Sequence, residues 1–108
     1  MNAPVAAVSD IPEGSGLGVV VQGHPVALFV VDGAVHAIRN QCPHMDAALA
    51  DGELEGCIVI CPLHQWEFDV TTGDCISPQW IPSARPVQRW PVHVVDGQVH
   101  IDISEEDA

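Results

Sequence analysis

A chain of 108 residues with nine glycines, nine prolines and many valines and isoleucines has the length of one domain and the composition of short strands joined by tight turns, so an all-β fold is expected and long helices are not. Fifteen acidic residues against three arginines and no lysine give a formal charge of −12, which repels nucleic-acid phosphate and the anionic face of a membrane and excludes both as partners. The same acidity suits either a protein partner with a basic patch or plain solubility.

The amino-terminal stretch MNAPVAAVSDIPEG contains no lysine or arginine and no apolar run of signal-peptide length, and no later run approaches a membrane span, so a soluble, cytoplasmic protein is expected. The segment GLGVVVQGHPVALFVVDGAVHAI reads as successive strands with turns at His24-Pro25 and Asp32-Gly33. From Gln41 to about Ala84 the character changes. MDAALADGELEG suggests a short helical turn near Ala47 to Ala50 and an acidic turn from Asp51 to Gly56, and CIVI is a strand leading into Cys61. The chain then closes with RWPVHVVDGQVHIDI, another hairpin pattern with its turn at Asp96-Gly97. Residues Val30 to His36 match Val94 to His100 with one substitution, which is too short for a repeated domain and indicates two hairpins built on the same turn chemistry. His24, His36, His93 and His100 are expected to be ordinary strand or turn residues.

The chemistry concentrates in two arms, Cys42-Pro43-His44 and Cys61-Pro62-Leu63-His64, separated by sixteen residues. Paired disulfides belong to secreted chains, so metal ligation is the better expectation for these cysteines. Zinc would accept two thiolates and two imidazoles, but its structural sites usually group cysteines on one arm and histidines on the other. A Cys/His nucleophile needs a single cysteine and leaves the second arm idle. A [2Fe-2S] cluster with two cysteines on one iron and two histidines on the other uses both arms.

At these residues the sequence resembles the Rieske-type ferredoxins, and the likeness continues through Phe68-Asp69 and Thr72-Gly73. The resemblance implies a Rieske fold over residues 1–108: an antiparallel base from 1–40 and 85–108, and a cluster-binding subdomain at 41–84. It further implies that Cys42 and Cys61 hold the inner iron of one [2Fe-2S] cluster, while His44 and His64 hold the outer iron. Exchanging two anionic thiolates for neutral imidazoles makes an electron easier to accept, which sets Rieske centres at roughly −150 to +300 mV against about −400 mV for plant-type ferredoxins. The high-potential members carry a loop-pinning disulfide and hydroxyl donors. Here the corresponding positions are Ala47 and Leu63, and Trp66 and Phe68, so a midpoint near the low end of that range is expected.

By the same resemblance the chain is no enzyme itself but an electron carrier between a flavin-containing NAD(P)H reductase and a terminal oxygenase. Gln65 stands where ring-hydroxylating dioxygenase ferredoxins commonly have a glycine, directly after the second histidine, and His64-x-Trp66-x-Phe68 is closer to the ferredoxins of diiron hydrocarbon monooxygenases, so the latter are the favoured partner class. The alternatives are a small subunit of an assimilatory nitrite reductase and a zinc-binding structural domain. Trp66 is expected either to meet the oxygenase or to cover the cluster. SPQWIPSARPVQRW, from Ser77, corresponds to the family's proline-rich shielding loop, with Trp80 expected as its apolar anchor and a docking role as the alternative. Arg85 and Arg89 are expected to form salt bridges, and Cys57 and Cys75 to pack as small apolar thiols.

Overall fold

The computed structural model describes residues 4–42, 47–62, 65–77 and 86–103. Its strands are β1 (Ala6–Ala7), β2 (Leu17–Val21), β3 (His24–Val31), β4 (Ala34–Arg39), β5 (Glu53–Glu55), β6 (Ile58–Ile60), β7 (Glu67–Asp69), β8 (Cys75–Ser77), β9 (Arg89–Trp90), β10 (Val92–Val95) and β11 (Gln98–Ile101). They form three sheets, ordered β1-β11-β10, β2-β3-β4-β9 and β5-β6-β7-β8, and every pairing is antiparallel. No helix among the described residues is long and apolar enough to cross a membrane.

Strand β3 explains the layering. Val26, Ala27, Leu28 and Phe29 are all fully buried, because the two faces of this strand feed different cores. Val26 and Leu28 join Ala37, Trp90, Val99 and Ile101 in one apolar cluster, while Ala27 and Phe29 join Ile38, Leu49, Val59, Phe68 and both arm cysteines in the other. The run VALF is continuous for the reason that strands covered on both sides lose their apolar-polar alternation. The β2-β3-β4-β9 sheet is thus the middle layer, and the β5–β8 sheet packs on the side opposite β10 and β11.

The hairpins follow local turn chemistry. Asp32-Gly33 and Asp96-Gly97 take left-handed backbone angles at both positions, the requirement of a two-residue turn between twisted strands. The first hairpin differs from expectation. Its turn is Gln22-Gly23, with φ of 51° and 84°, and His24 and Pro25 lie within β3. Pairing of Val21 with His24 sets that register, and Pro25 falls one residue beyond the last β3–β4 pair, Val26 with Arg39, where no ladder bond needs its missing N–H. The turn near Ala47 to Ala50 is a 3₁₀ turn at Leu49–Asp51. The acidic stretch after it differs from expectation: Glu53–Glu55 is strand β5, held by pairing with β6.

The turn from Asp69 to Gly73 fastens the β5–β8 sheet to the returning chain. The Asp69 carboxylate accepts hydrogen bonds from the Thr71 N–H at 2.8 Å and the Thr71 hydroxyl at 2.6 Å, and Gly73 N–H donates to the Asp69 carbonyl at 2.7 Å. Gly73 has φ of +83°, and an added Cβ would meet the Val87 carbonyl oxygen at 2.6 Å, so both backbone angle and space require glycine here. Val87 N–H donates to the Gly73 carbonyl, and Arg89 donates to the Thr71 carbonyl at 2.6 Å. Among the described residues Arg89 therefore serves the turn, not the salt bridge expected of it. Arg85 and Trp80 lie outside the described residues.

Burial pushes the Asp69 carboxyl upward, but the Thr71 and Thr72 hydrogen bonds and the Cys57 thiol outweigh it and hold the group below its ordinary value. A depressed carboxyl stabilises the fold above its unfolded pKa of about 3.9, and that contribution is lost as pH falls through the lower folded value. Asp69→Ala is expected to cost about 1–2 kcal/mol at pH 7. In denaturant melts repeated down the pH scale, the difference from wild type should shrink below about pH 3.9.

Candidate metal centre

Two loops end on the core with the same closure. Strand β4 gives out at Arg39, and Asn40 turns the chain, its N–H donating to the Pro25 carbonyl and its side-chain oxygen accepting from Ala50 N–H at 2.8 Å. Cys42 N–H then donates to the Ala47 carbonyl at 3.0 Å. At the end of β6, Cys61 N–H donates to the Trp66 carbonyl at 2.6 Å, and Gln65 N–H returns to the Cys61 carbonyl at 3.0 Å. Each cysteine thus bonds the carbonyl five residues ahead, and each closed segment contains a histidine in its sequence, His44 in one and His64 in the other. Both histidines lie outside the described residues.

The cysteines at the loop bases are 2 % and 0 % exposed and share one apolar cluster with Ala47, Leu49, Val59, Trp66 and Phe68. Neither is bridged to another cysteine. Two buried thiols, from separate loops and unspent in disulfides, fit a metal group that prefers thiolate ligands and shelter from water. Among the described residues no three His, Cys, Asp or Glu side chains converge as a metal site. Trp66 is 7 % exposed and Phe68 is 0 %. Trp66 is consequently a cover on the core, and the docking contact considered for it is replaced by burial. Neither residue has a hydroxyl to donate toward the cysteines.

The other two cysteines lie outside the two arms. Cys75 is buried in the same core, and burial pushes its thiol pKa up. Cys57 is half-buried. Burial and the adjacent Asp69 carboxylate, to which it hydrogen-bonds, raise its pKa as well, so this thiol is a hydrogen-bond donor as well as a packing group. Thiols held protonated are poor ligands and poor nucleophiles at neutral pH.

Beside the Cys61 loop lies a cavity of about 430 Å³ walled by Asp51, Glu53, Ile60, Pro62, Gln65 and Glu67, among others. Supporting contacts hold its rim. Ser15 donates through its hydroxyl to the Ala50 and Gly52 carbonyls at 3.0 and 3.2 Å, and Gly16 N–H donates to the Ala50 carbonyl at 3.0 Å. These bonds tie β2's lead-in to the segment between the two arms.

Residues 1–91 match the model of the Rieske [2Fe-2S] domain. The ferredoxin component of the naphthalene 1,2-dioxygenase system of Pseudomonas putida is 43% identical over 98 residues, 91% of each chain. Among solved structures, the Sphingomonas yanoikuyae B1 ferredoxin superposes with a TM-score of 0.85 at 31% identity, covering 96% of this chain and 100% of that one. A chain from the complex of reduced oxygenase and oxidised ferredoxin in carbazole 1,9a-dioxygenase gives 0.80 at 31% identity, with 93% and 100% covered. Similarity of that extent displaces the zinc alternative. The chain belongs to the Rieske [2Fe-2S] domain family, as an electron-transferring ferredoxin with a Rieske-type [2Fe-2S] cluster as its cofactor.

Proposed function

We infer that this ferredoxin carries single electrons from a flavin-containing NAD(P)H reductase to the terminal oxygenase of an aromatic-ring dioxygenase system, working in the cytoplasm. The observation that carries the partner class is the 43% identity over 91% of each chain with a naphthalene dioxygenase ferredoxin. Gln65 and Trp66, the residues that favour a diiron monooxygenase partner in the sequence, do not set this chain apart in the structure. Gln65 has φ of 58°, the left-handed conformation that glycine adopts freely and other residues adopt at about 1–2 kcal/mol. Glutamine here occupies the glycine conformation of the same loop, so it marks no separate class. Trp66 faces the core and has little surface with which to choose a partner.

In this reading Cys42 and Cys61 bind the inner iron and His44 and His64 the outer iron. Residues 41–84 form the cluster-binding unit, with 1–40 and 85–108 as its base. When bound, the cluster accepts and releases one electron at a time. The chain's part is to supply two thiolates from a dry core, to hold each ligand loop closed by its backbone bond, and to keep hydroxyl donors away at positions 66 and 68.

Reconstitution tests the assignment. The purified holo-protein, reduced through an NADH-dependent flavin reductase, is expected to support product formation by the naphthalene 1,2-dioxygenase oxygenase and not by a diiron hydrocarbon hydroxylase. Its midpoint is expected at about −150 mV, nearly constant around pH 7. Turnover with the diiron enzyme alone would return the assignment to the monooxygenase class, and a midpoint above zero would reject the account of the missing hydroxyls.

A further inference from the structure

The register of the β5–β8 sheet separates its residues onto two faces with opposite chemistry. Leu54, Val59 and Phe68 stand across from one another in adjacent strands, and Val59 and Phe68 are fully buried in the cluster-side core. The alternate rows point the other way. One is Glu53, Ile60, Glu67 and the other is Glu55, Ile58, Asp69. In both rows the central strand contributes an isoleucine and each neighbouring strand a carboxylate. Ile58 and Ile60 are only half-buried and belong to neither apolar cluster.

No internal cation neutralises this face among the described residues. The chain has no lysine, Arg39 donates to Gln41 at 3.2 Å, and Arg89 donates to the Thr71 carbonyl. Asp69 is engaged with Thr71 and Cys57, but Glu53, Glu55 and Glu67 form no hydrogen bond or ion pair within the described structure. Carboxylates two strands apart are separated by about 10 Å, a little more than one Debye length at physiological salt, so their repulsion is weak there and grows as salt is lowered. The row Glu53, Ile60 and Glu67 also lines the cavity beside the Cys61 loop, together with Pro62 and Gln65.

We propose that this outer face of the β5–β8 sheet is the docking surface for a basic patch on the terminal oxygenase, with Glu53, Glu55 and Glu67 taking arginine or lysine side chains around the Ile58–Ile60 centre. The inference rests on the electron-carrier reading and adds the face, the charges and the side of approach. Charge complementarity commits the occupant: a partner with cations flanking a small apolar spot covers the isoleucines and relieves the carboxylate repulsion at once. Docking there brings the oxygenase alongside the Cys61 loop.

Two double variants with the same change in net charge test it. Glu53→Gln/Glu67→Gln alters the face. Asp96→Asn/Asp102→Asn alters exposed positions around the β10–β11 hairpin, on the opposite outer layer, where asparagine tolerates the left-handed angle of position 96. Each holo-protein is reduced beforehand and mixed with the naphthalene 1,2-dioxygenase oxygenase at low salt. The second-order rate constant is expected to fall about tenfold in the face variant and less than twofold in the hairpin variant, with a flatter salt dependence only in the former. Equal losses in the two variants overturn the proposal, as does a loss confined to reduction by the flavin reductase. If the wild-type protein does not reduce that oxygenase, the functional assignment fails separately, and hexa-arginine peptide binding decides the face. Binding weakened about fivefold only by the face variant supports the proposal, and equal binding by both variants rejects it.

Discussion

Cys42→Ala or Cys61→Ala is expected to yield protein without its iron and acid-labile sulfide, while Cys57→Ala and Cys75→Ala retain both. The four thiols differ in setting, not in kind. Cys42 and Cys61 sit at the bases of two loops closed by matching backbone bonds, and both are almost wholly shielded from water. Removing either deletes one of the two proposed inner-iron ligands. Because metal binding and folding share one free energy in a domain of this size, these two variants should also melt earlier than wild type. Cys57 has its thiol turned to the Asp69 carboxylate, and Cys75 packs in the core with a raised pKa. Loss of either costs packing or a hydrogen bond and leaves the ligand set complete. Iron and sulfide analysis with the low average g value of the reduced centre checks all four variants. Loss of the centre from the Cys57 or Cys75 variant, with retention in the Cys42 or Cys61 variant, would reject the ligand assignment.

Gly52→Ala should be among the most damaging changes of a single methyl group in this chain. Gly52 is buried and has φ of −81° and ψ of 167°, ordinary extended backbone, so conformational freedom is not why glycine is there. Space is the reason: an added Cβ is driven into the Ile60 carbonyl oxygen, with the Ile60 carbonyl carbon at 3.0 Å and the Leu49 carbonyl oxygen at 3.3 Å. All three are backbone atoms, which cannot swing aside as a side-chain tip can. Overpacking commonly costs 1–3 kcal/mol, and a clash with backbone alone sits at the upper end. A loss of about 3 kcal/mol corresponds to a fall of about 15 °C in Tm for a domain of this length. The displaced residue, Ile60, directly precedes Cys61, so iron content should drop together with stability. Gly97→Ala is the comparison: nothing lies within 4 Å of its added Cβ, and only the positive φ opposes the change, for about 1 kcal/mol. Melting curves that leave Gly52→Ala within a few degrees of wild type would contradict this account.

Much of this protein is legible in short stretches of its sequence, wherever the governing interaction is itself local. Asp32-Gly33 and Asp96-Gly97 are hairpin turns because two consecutive residues there need left-handed angles, and those residue types accept them. The two arms Cys42-Pro43-His44 and Cys61-Pro62-Leu63-His64 carry the resemblance to the Rieske ferredoxins, and the family match over residues 1–91 bears that resemblance out. Tertiary structure decided the rest. Gln22-Gly23, and not His24-Pro25, became the first turn because the register of β2 on β3 outranked the local preference of a proline. Residues 53–55 look like acidic loop in isolation, yet pairing with β6 makes them an edge strand and lines their carboxylates up with those of β7. Trp66 could equally have been a surface contact or a lid from its sequence neighbours alone. Its burial follows from the meeting of the β5–β8 sheet with Phe29 and Ile38 of the middle layer, a long-range packing event on which the local motif has no bearing.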